Sequence, residues 1–191
     1  MPSIYSTAEK VQQYVRSKRA RIVTARFNES TWQENADYRI KHPNIGCIYP
    51  SPRPIQADIP YDCLLIMLEM RNDLNQIGGI SMLKNRANIN DKYYVYKDAK
   101  YNQYAYLGNV RIDRKDMTEQ EEQIMKVFDI LCFKGPDHLK RLKGIMAFPP
   151  YKLYCCATSP TGRDLVDFLY AMFTTRKPPV RLANRNTNPN I

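Results

Sequence analysis

The sequence predicts an α+β fold in which a small curved sheet or a β-barrel is flanked by helices. Short β-prone runs lie mainly between residues 64 and 112, and helical patterns lie on both sides of them. Gly, Asn and Pro separate many of these runs, which is typical of short strands joined by turns. Strands that cluster between helical ends favour a separate sheet covered by helices.

Two helices are predicted to begin with capping boxes. In this pattern the Ser or Thr side chain accepts a hydrogen bond from the backbone N–H of a Glu three residues later. The Glu side chain in turn accepts a hydrogen bond from the backbone N–H of the Ser or Thr. Ser6 and Glu9 form the first such pair, and Thr118 and Glu121 form the second. Both pairs precede apolar residues at helical spacing, so we expect helices to start at these two positions.

The ends of the helices follow from charge, Gly and Pro. The first helix is predicted to continue into the basic run 16–21, because cations suit a helix C-terminus. The helix that begins at Thr118 should end near residues 134–136, where Gly is followed by Pro. A further helix is predicted from Ser30 to just before Pro43, and a last one over residues 161–175.

The predicted strands are short and rich in apolar or aromatic residues. They are residues 64–68, 77–83, 92–96, 103–106, 110–112, 144–148 and 153–157. The first run is apolar throughout, which is typical of a strand that is buried on both faces. The adjacent Gly78 and Gly79 predict a β-bulge or a close approach of another group to the backbone.

The organisation of the chain is predicted from composition. Five of its 13 prolines fall within residues 43–60, which indicates an extended connector. The predicted divisions are a helical extension at 1–42, the connector at 43–60, an α+β core domain at 61–175 and a flexible basic tail at 176–191.

The formal net charge is +10, and it is concentrated at the two ends. Residues 1–27 hold six basic residues and one acid, and residues 176–191 hold four basic residues and no acid. Extended basic termini favour polyanionic partners, because a polyanion releases counterions when it binds them. The sequence therefore predicts a nucleic acid or an acidic protein surface as partner, with improved solubility as the plainer alternative.

Several functional classes are disfavoured. The five cysteines form no CxxC pair, and the two histidines are too few for a zinc-finger spacing, so we predict reduced thiols, no metal site and no cofactor. The longest apolar run, residues 63–68, is far too short to cross a membrane. No catalytic motif is apparent, and no catalytic residue is predicted. An enzyme on nucleic acid would need carboxylates near His138.

The best candidate site is the basic segment 134–144. Glycines bracket it, and five groups that are or can become cationic lie in ten residues, with one acid, Asp137, among them. Such a segment lets the backbone approach a phosphate and supplies charge to neutralise it. The alternative is a solvated surface loop. The predicted nucleic-acid contacts are Lys134, His138, Lys140, Arg141 and Lys143, with Arg111 from a second basic cluster and Tyr104 as a stacking residue.

Residues 65–85, with a strand, a polar turn, Ile77-Gly78-Gly79-Ile80 and a second strand, resemble the core of PUA-like barrels of the EVE and YTH kind. The wider block, which includes residues 101–114 and 133–145, is similar to small uncharacterised proteins of nucleocytoplasmic large DNA viruses. The resemblance implies a viral protein of the host cytoplasm or virion, with a nucleic-acid pocket on a PUA-like domain.

Two functions are carried forward from these observations. The first is a viral nucleic-acid-binding protein, for RNA or DNA, that uses the basic segment on a PUA-like domain. The alternative is a virion structural protein, such as a minor capsid or internal cement component, whose basic arms order against partner proteins. The oligomeric state and the stage of infection stay open.

Overall fold

A computed structural model describes residues 6–141, 144–159 and 162–176. The helices are α1 (Thr7–Ser17), α2 (Glu29–Lys41), α3 (Glu119–Phe133), α4 (Pro150–Thr158) and α5 (Leu165–Thr175), with short 3-10 helices at Ala99–Asn102 and Arg114–Asp116. The strands are β1 (Ala20–Phe27), β2 (Cys47–Ser51), β3 (Leu64–Arg71), β4 (Gln76–Lys84), β5 (Ala87–Asn88), β6 (Tyr104–Gly108), β7 (Val110–Asp113) and β8 (Met146–Ala147).

The strands form two sheets, so the predicted α+β class is confirmed. The larger sheet has the order β7-β4-β3-β1-β8 and is mixed, since β1 runs parallel to β3 while the other pairs are antiparallel. The smaller sheet has the order β2-β6-β5 and is antiparallel. In the described ranges neither sheet closes on itself, so the barrel alternative is not found there.

The core lies on both faces of the larger sheet, and β3 shows this most clearly. Ile66 and Leu68 belong to a cluster that includes Phe128 of α3 and residues of α4 and α5. Leu65 and Met67 point the other way, into a cluster with apolar residues of β2 and β6. Because successive side chains of a strand alternate between faces, an all-apolar strand supplies both clusters. The predicted buried strand is therefore confirmed.

The helical prediction for residues 18–21 is wrong. Helix α1 ends at Ser17, and β1 begins at Ala20 and pairs with β3 over its whole length. The residues after Arg21 are mostly buried in the strand, and Arg21 caps α1 by donating to the carbonyls of Val15 (2.6 Å) and Lys18 (3.2 Å). The range 1–42, predicted to be a helical extension, thus contributes a strand to the main sheet.

The proline-rich range 43–60 contains strand β2, which the sequence analysis missed. All five residues of β2 are buried, including Pro50. A proline is compatible with this position because β2 is an edge strand of the smaller sheet, where one side of its backbone needs no ladder bond. Ile55, just after β2, donates its N–H to the Tyr106 hydroxyl at 2.8 Å. This bond holds the segment that follows β2 against β6.

The predicted bulge at the glycine pair is confirmed. Glu69 lies opposite Gly79 and Met70 lies opposite Ile77, so Gly78 is the extra residue of β4. Strands β6 and β7 also lie where predicted, whereas residues 92–96 form no strand.

The strand predicted at residues 153–157 is wrong, because this range belongs to helix α4. Pro150 is the first residue of this helix, a position that suits proline because its fixed φ matches a helix start. Leu153 is buried in the core, and Tyr154 packs edge-on against Tyr14 of α1 with ring centroids 5.9 Å apart. Packing against α1 thus offsets the β-prone composition of this run.

The capping predictions are confirmed at both helices. Ser6 caps α1 and Thr118 caps α3, each with the reciprocal Glu contact. Helix α3 ends at Phe133 with Lys134 as its C-cap, and Gly135 follows with a left-handed φ of +78°. Helix α2 begins at Glu29, slightly earlier than predicted, because Asn28 rather than Ser30 is its cap.

Residues 1–5 and 177–191, which include most of the predicted basic tail, lie outside the described residues. Within the described ranges, no helix combines the length and the apolar character that a membrane crossing requires.

Candidate functional site

The candidate site is a cavity of about 280 Å³ where β1 ends and α2 begins. It is lined by Ala25, Arg26, Phe27, Asn28, Thr31, Tyr49, Pro50, Pro52, Asn72, Tyr96, Tyr101, Gly144 and Ile145. One of these residues is cationic and none of them is acidic. The cavity therefore has an uncompensated positive charge, which favours an anionic ligand.

Arg26 supplies that charge. Its Nε donates to the Leu139 carbonyl oxygen at 2.7 Å and its Nη1 donates to the Gly144 carbonyl oxygen at 3.1 Å. Nη2 is buried and has no hydrogen-bond partner among the described residues. Burial lowers the pKa of Arg26 to about 10, against a small opposing effect of Cys132, so the group is still cationic at neutral pH. A buried guanidinium without a carboxylate is costly unless an anion pairs with it.

Asn72 gives the cavity a second unpartnered polar atom. Its Nδ2 donates to the Lys140 carbonyl oxygen at 3.4 Å, and its backbone N–H donates to the Phe27 carbonyl at 2.9 Å. Its Oδ1 is buried and lacks a donor among the described residues. Arg26 and Asn72 both line the cavity, and each has one buried polar atom without a partner among the described residues.

Aromatic side chains form much of the wall. Phe27 and Tyr49 are buried, and Tyr101 is 37% exposed at the cavity mouth. The Tyr49 hydroxyl lies 2.5 Å from Glu69 Oε1 and 2.6 Å from Ser81 Oγ, so its ring is held in one orientation. Burial, followed by the charge of Glu69, raises the pKa of Tyr49 well above its ordinary value, which keeps the hydroxyl protonated.

The basic segment 134–144 reaches this cavity at its C-terminal end. Gly144 lines the cavity and has a φ of +73°, and a Cβ there would lie 3.1 Å from Ser51 Oγ. Lys140 is half-buried and donates from Nζ to Asn75 Oδ1 at 2.8 Å. Arg141 is exposed. Two lining residues, Arg26 and Asn72, connect the cavity to the segment by donating to its backbone carbonyl oxygens.

Two other residues of the segment lie away from these contacts. Lys134 is exposed at the end of α3. His138 is half-buried, and its Nδ1 is buried without a partner among the described residues. Neither residue lines the cavity. Lys143 lies outside the described residues.

Arg111 has a different environment from the one the sequence analysis expected. Its side chain is 7% exposed, and it pairs with Glu69 at 2.6 Å and with Asp113 at 3.0 Å. Burial opposes its charge, but the charge and hydrogen bonds of Glu69 more than offset this, so the pKa of Arg111 is raised. The guanidinium is therefore largely buried and pairs with two carboxylates.

Tyr104 also lies apart from the cavity. It pairs with Ser51 across β6 and β2, packs half-buried against the core between the sheets, and does not line the cavity. Tyr101, in contrast, is a lining residue of the cavity.

Arg26 is the residue that sequence analysis missed as a site residue. It was counted as part of a basic terminus, because a run with several arginines is typical of a solvated end. A usable signal was its place between β-prone residues, followed by Phe27 and the helix cap Asn28. A cation at the carboxyl end of a strand that leads into a helix is expected to lie where ligand clefts form beside a sheet.

The cavity supplies binding groups: a guanidinium, an amide, hydroxyls and aromatic faces. Across the described ranges, no three His, Cys, Asp or Glu side chains gather as a metal site would require. Comparison of the chain with protein-family models, with curated proteins and with solved structures finds no match.

Proposed function

We propose that this protein binds nucleic acid and that Arg26 holds one backbone phosphate in the cavity. The observation that carries this proposal is the Arg26 guanidinium, which is largely buried and cationic and pairs with no carboxylate of the described residues. Phosphate oxygens are the natural acceptors for a guanidinium, because its donors match their geometry.

The surroundings of the cavity favour nucleic acid over a small anion. Lys140 and Arg141 lie on the adjoining basic segment, and the chain as a whole carries a net charge of +10. The aromatic wall provides apolar area that an inorganic phosphate leaves unused, whereas a nucleobase covers it. A bound base would also supply N–H donors for Asn72 Oδ1.

Fluorescence anisotropy with a labelled oligonucleotide of about 12 nucleotides tests this proposal. Arg26→Gln should weaken binding by about tenfold or more, because it removes a charged hydrogen bond to phosphate. Arg26→Lys should restore part of the affinity, since it keeps the charge without the planar fork. Arg163→Gln removes an exposed arginine that does not line the cavity, and it is the matched control.

Thermal unfolding of each variant shows whether the fold is intact. If Arg26→Gln and Arg26→Lys fold and bind as tightly as the wild type, the assignment of Arg26 is wrong. If the wild type binds inorganic phosphate as tightly as it binds the oligonucleotide, nucleic acid is not the ligand.

The role of the basic segment has its own test. The double substitution Lys140→Ala with Arg141→Ala should lower the affinity and flatten its dependence on salt. For a single strand, the slope of log affinity against log salt should fall by about 0.7 for each phosphate that the variant no longer neutralises. Binding equal to that of the wild type, with an unchanged slope, would contradict a contribution of the segment and leave Arg26 as the contact.

A viral origin, a PUA-like relationship and a place in the host cytoplasm or the virion stay predictions. So does the alternative of a virion structural protein. In the N-terminal range, Lys18 pairs with Asp164 at 2.6 Å and with Asp167 at 2.8 Å, so this cation is engaged within the fold. Co-purification with capsid protein, together with indifference to nucleic acid, would favour the structural alternative.

A further inference from the structure

A second cavity, of about 390 Å³, adjoins the one that contains Arg26. The two cavities share four wall residues, which are Pro52, Tyr101, Gly144 and Ile145. The second cavity is also free of acidic residues among those that line it, and it adds Arg53 and Lys100. Two adjoining cavities with cations and without acids provide two successive places for an anionic chain.

The cations of the second cavity are available to a ligand. Arg53 is exposed, and it is absent from the ion pairs formed by the described residues. Lys100 pairs with Asp98 at 2.9 Å, but both side chains are about half exposed or more, at 65% and 49%. Exposed ion pairs of this kind contribute little, so a phosphate can replace Asp98 as the partner of Lys100.

Tyr101 lies between the two cavities. It belongs to the short helix Ala99–Asn102, which Asp98 caps by accepting the Lys100 N–H at 3.2 Å. Its ring is 37% exposed, and Lys100 Nζ lies 5.3 Å from the ring centroid. A partly exposed ring at the boundary of two cavities offers a stacking surface for a base, and the nearby cation draws the backbone to the same place.

We propose that the two cavities are successive subsites for a single strand, one nucleotide in each, with Tyr101 stacked on a base at their boundary. This inference rests on the proposed function, since Arg26 holds the phosphate of the first subsite. The ligand class is a single-stranded oligonucleotide of two or more nucleotides. A duplex is excluded because its bases are paired and stacked within the helix and cannot enter the cavities.

The test compares thymidine 5′-monophosphate with the 5′-phosphorylated dinucleotide pTpT by calorimetric titration. For the wild type, the second nucleotide should raise affinity by about tenfold or more, as expected for one stacked base and one further phosphate. Tyr101→Ala should bring the ratio of the two affinities close to one, and Tyr101→Phe should keep it. Tyr94→Ala removes a 73% exposed tyrosine that lines neither cavity, and it should keep the wild-type ratio.

The outcomes separate this inference from the proposed function. If pTpT binds no more tightly than the monophosphate while Arg26→Gln still weakens both, the second subsite is overturned and the phosphate site at Arg26 stands. If Tyr101→Phe lowers the ratio as much as Tyr101→Ala does, stacking at Tyr101 is overturned. If a duplex competes as well as the single strand, strand selectivity is overturned. If the wild type binds no nucleotide at all, both proposals fail.

Discussion

Arg26 donates from Nε to the carbonyl oxygen of Leu139 at 2.7 Å, across 113 residues of sequence. Its Nη1 makes a second bond, of 3.1 Å, to the Gly144 carbonyl oxygen. One side chain of β1 thus forms hydrogen bonds to two residues of the basic segment that the sequence analysis identified as the best candidate site. The remaining nitrogen, Nη2, is buried and has no hydrogen-bond partner among the described residues. Under the proposed function, the position of the segment and the binding of a phosphate therefore depend on the same guanidinium.

Removal of one partner from the buried ion pair of Glu69 and Arg111 should strongly destabilise the protein. Glu69→Gln leaves Arg111 buried with only Asp113 opposite it, so we expect the free energy of unfolding to fall by about 3 kcal/mol or more. Urea denaturation measures the change. The double substitution Glu69→Gln with Arg111→Met removes the unpaired charge and should recover part of the loss. A double variant less stable than Glu69→Gln would contradict this account.

Gly78 leaves room for the only tryptophan of the chain. A Cβ at Gly78 would lie 2.5 Å from Trp32 Cη2, and the guanidinium of Arg71 lies 4.8 Å from the centre of the same indole. Gly78→Ala should therefore cost about 1–3 kcal/mol of stability and shift the tryptophan emission. Gly135→Ala is the control, because it meets no atom within 4 Å and strains only its left-handed φ. It should lower stability by about 1 kcal/mol and leave the emission unchanged. An unshifted spectrum for folded Gly78→Ala would show that the indole is not packed there.

Stability should depend on pH through Glu122. Arg114 donates to it twice, at 2.8 and 2.7 Å, and these bonds lower its pKa, against a smaller opposing effect of burial. A carboxyl with a lowered folded pKa adds stability above its unfolded pKa and loses it as the pH falls through the folded value. Glu122→Gln should be less stable by up to about 1 kcal/mol at neutral pH, and the difference should shrink below about pH 4.5. Denaturation at several pH values measures it, and a constant difference would contradict the assignment.

The features that sequence analysis predicted correctly are those in which the decisive contacts are local. The caps at Ser6 and Thr118 each involve a Glu three residues away, and Gly135 ends α3 next to its last turn. The bulge at Gly78 follows from the absence of a Cβ at one position. Patterns of this kind depend on a few neighbouring residues, so they can be recognised without the rest of the chain.

Strands β1 and β2 were missed for a common reason. Arg21 and Arg26 make β1 look solvated, and Pro50 makes β2 look like a connector. Their neighbours are supplied by distant parts of the chain: β3 lies beside β1, and β6 lies beside β2. Strand pairing and burial of this kind depend on the other strand as much as on the sequence of the strand itself.

By itself, then, the sequence determined the α+β class, the two capped helices and the buried strand β3. The tertiary structure decided which cations are available. Arg111 is neutralised by Glu69 because the sheet brings them together across 42 residues. Among the described residues, the hydrogen-bond partners of Arg26 are carbonyls rather than carboxylates, and Nη2 has no partner. The sequence shows which side chains are charged, but the burial of each charge and its partners are properties of the fold.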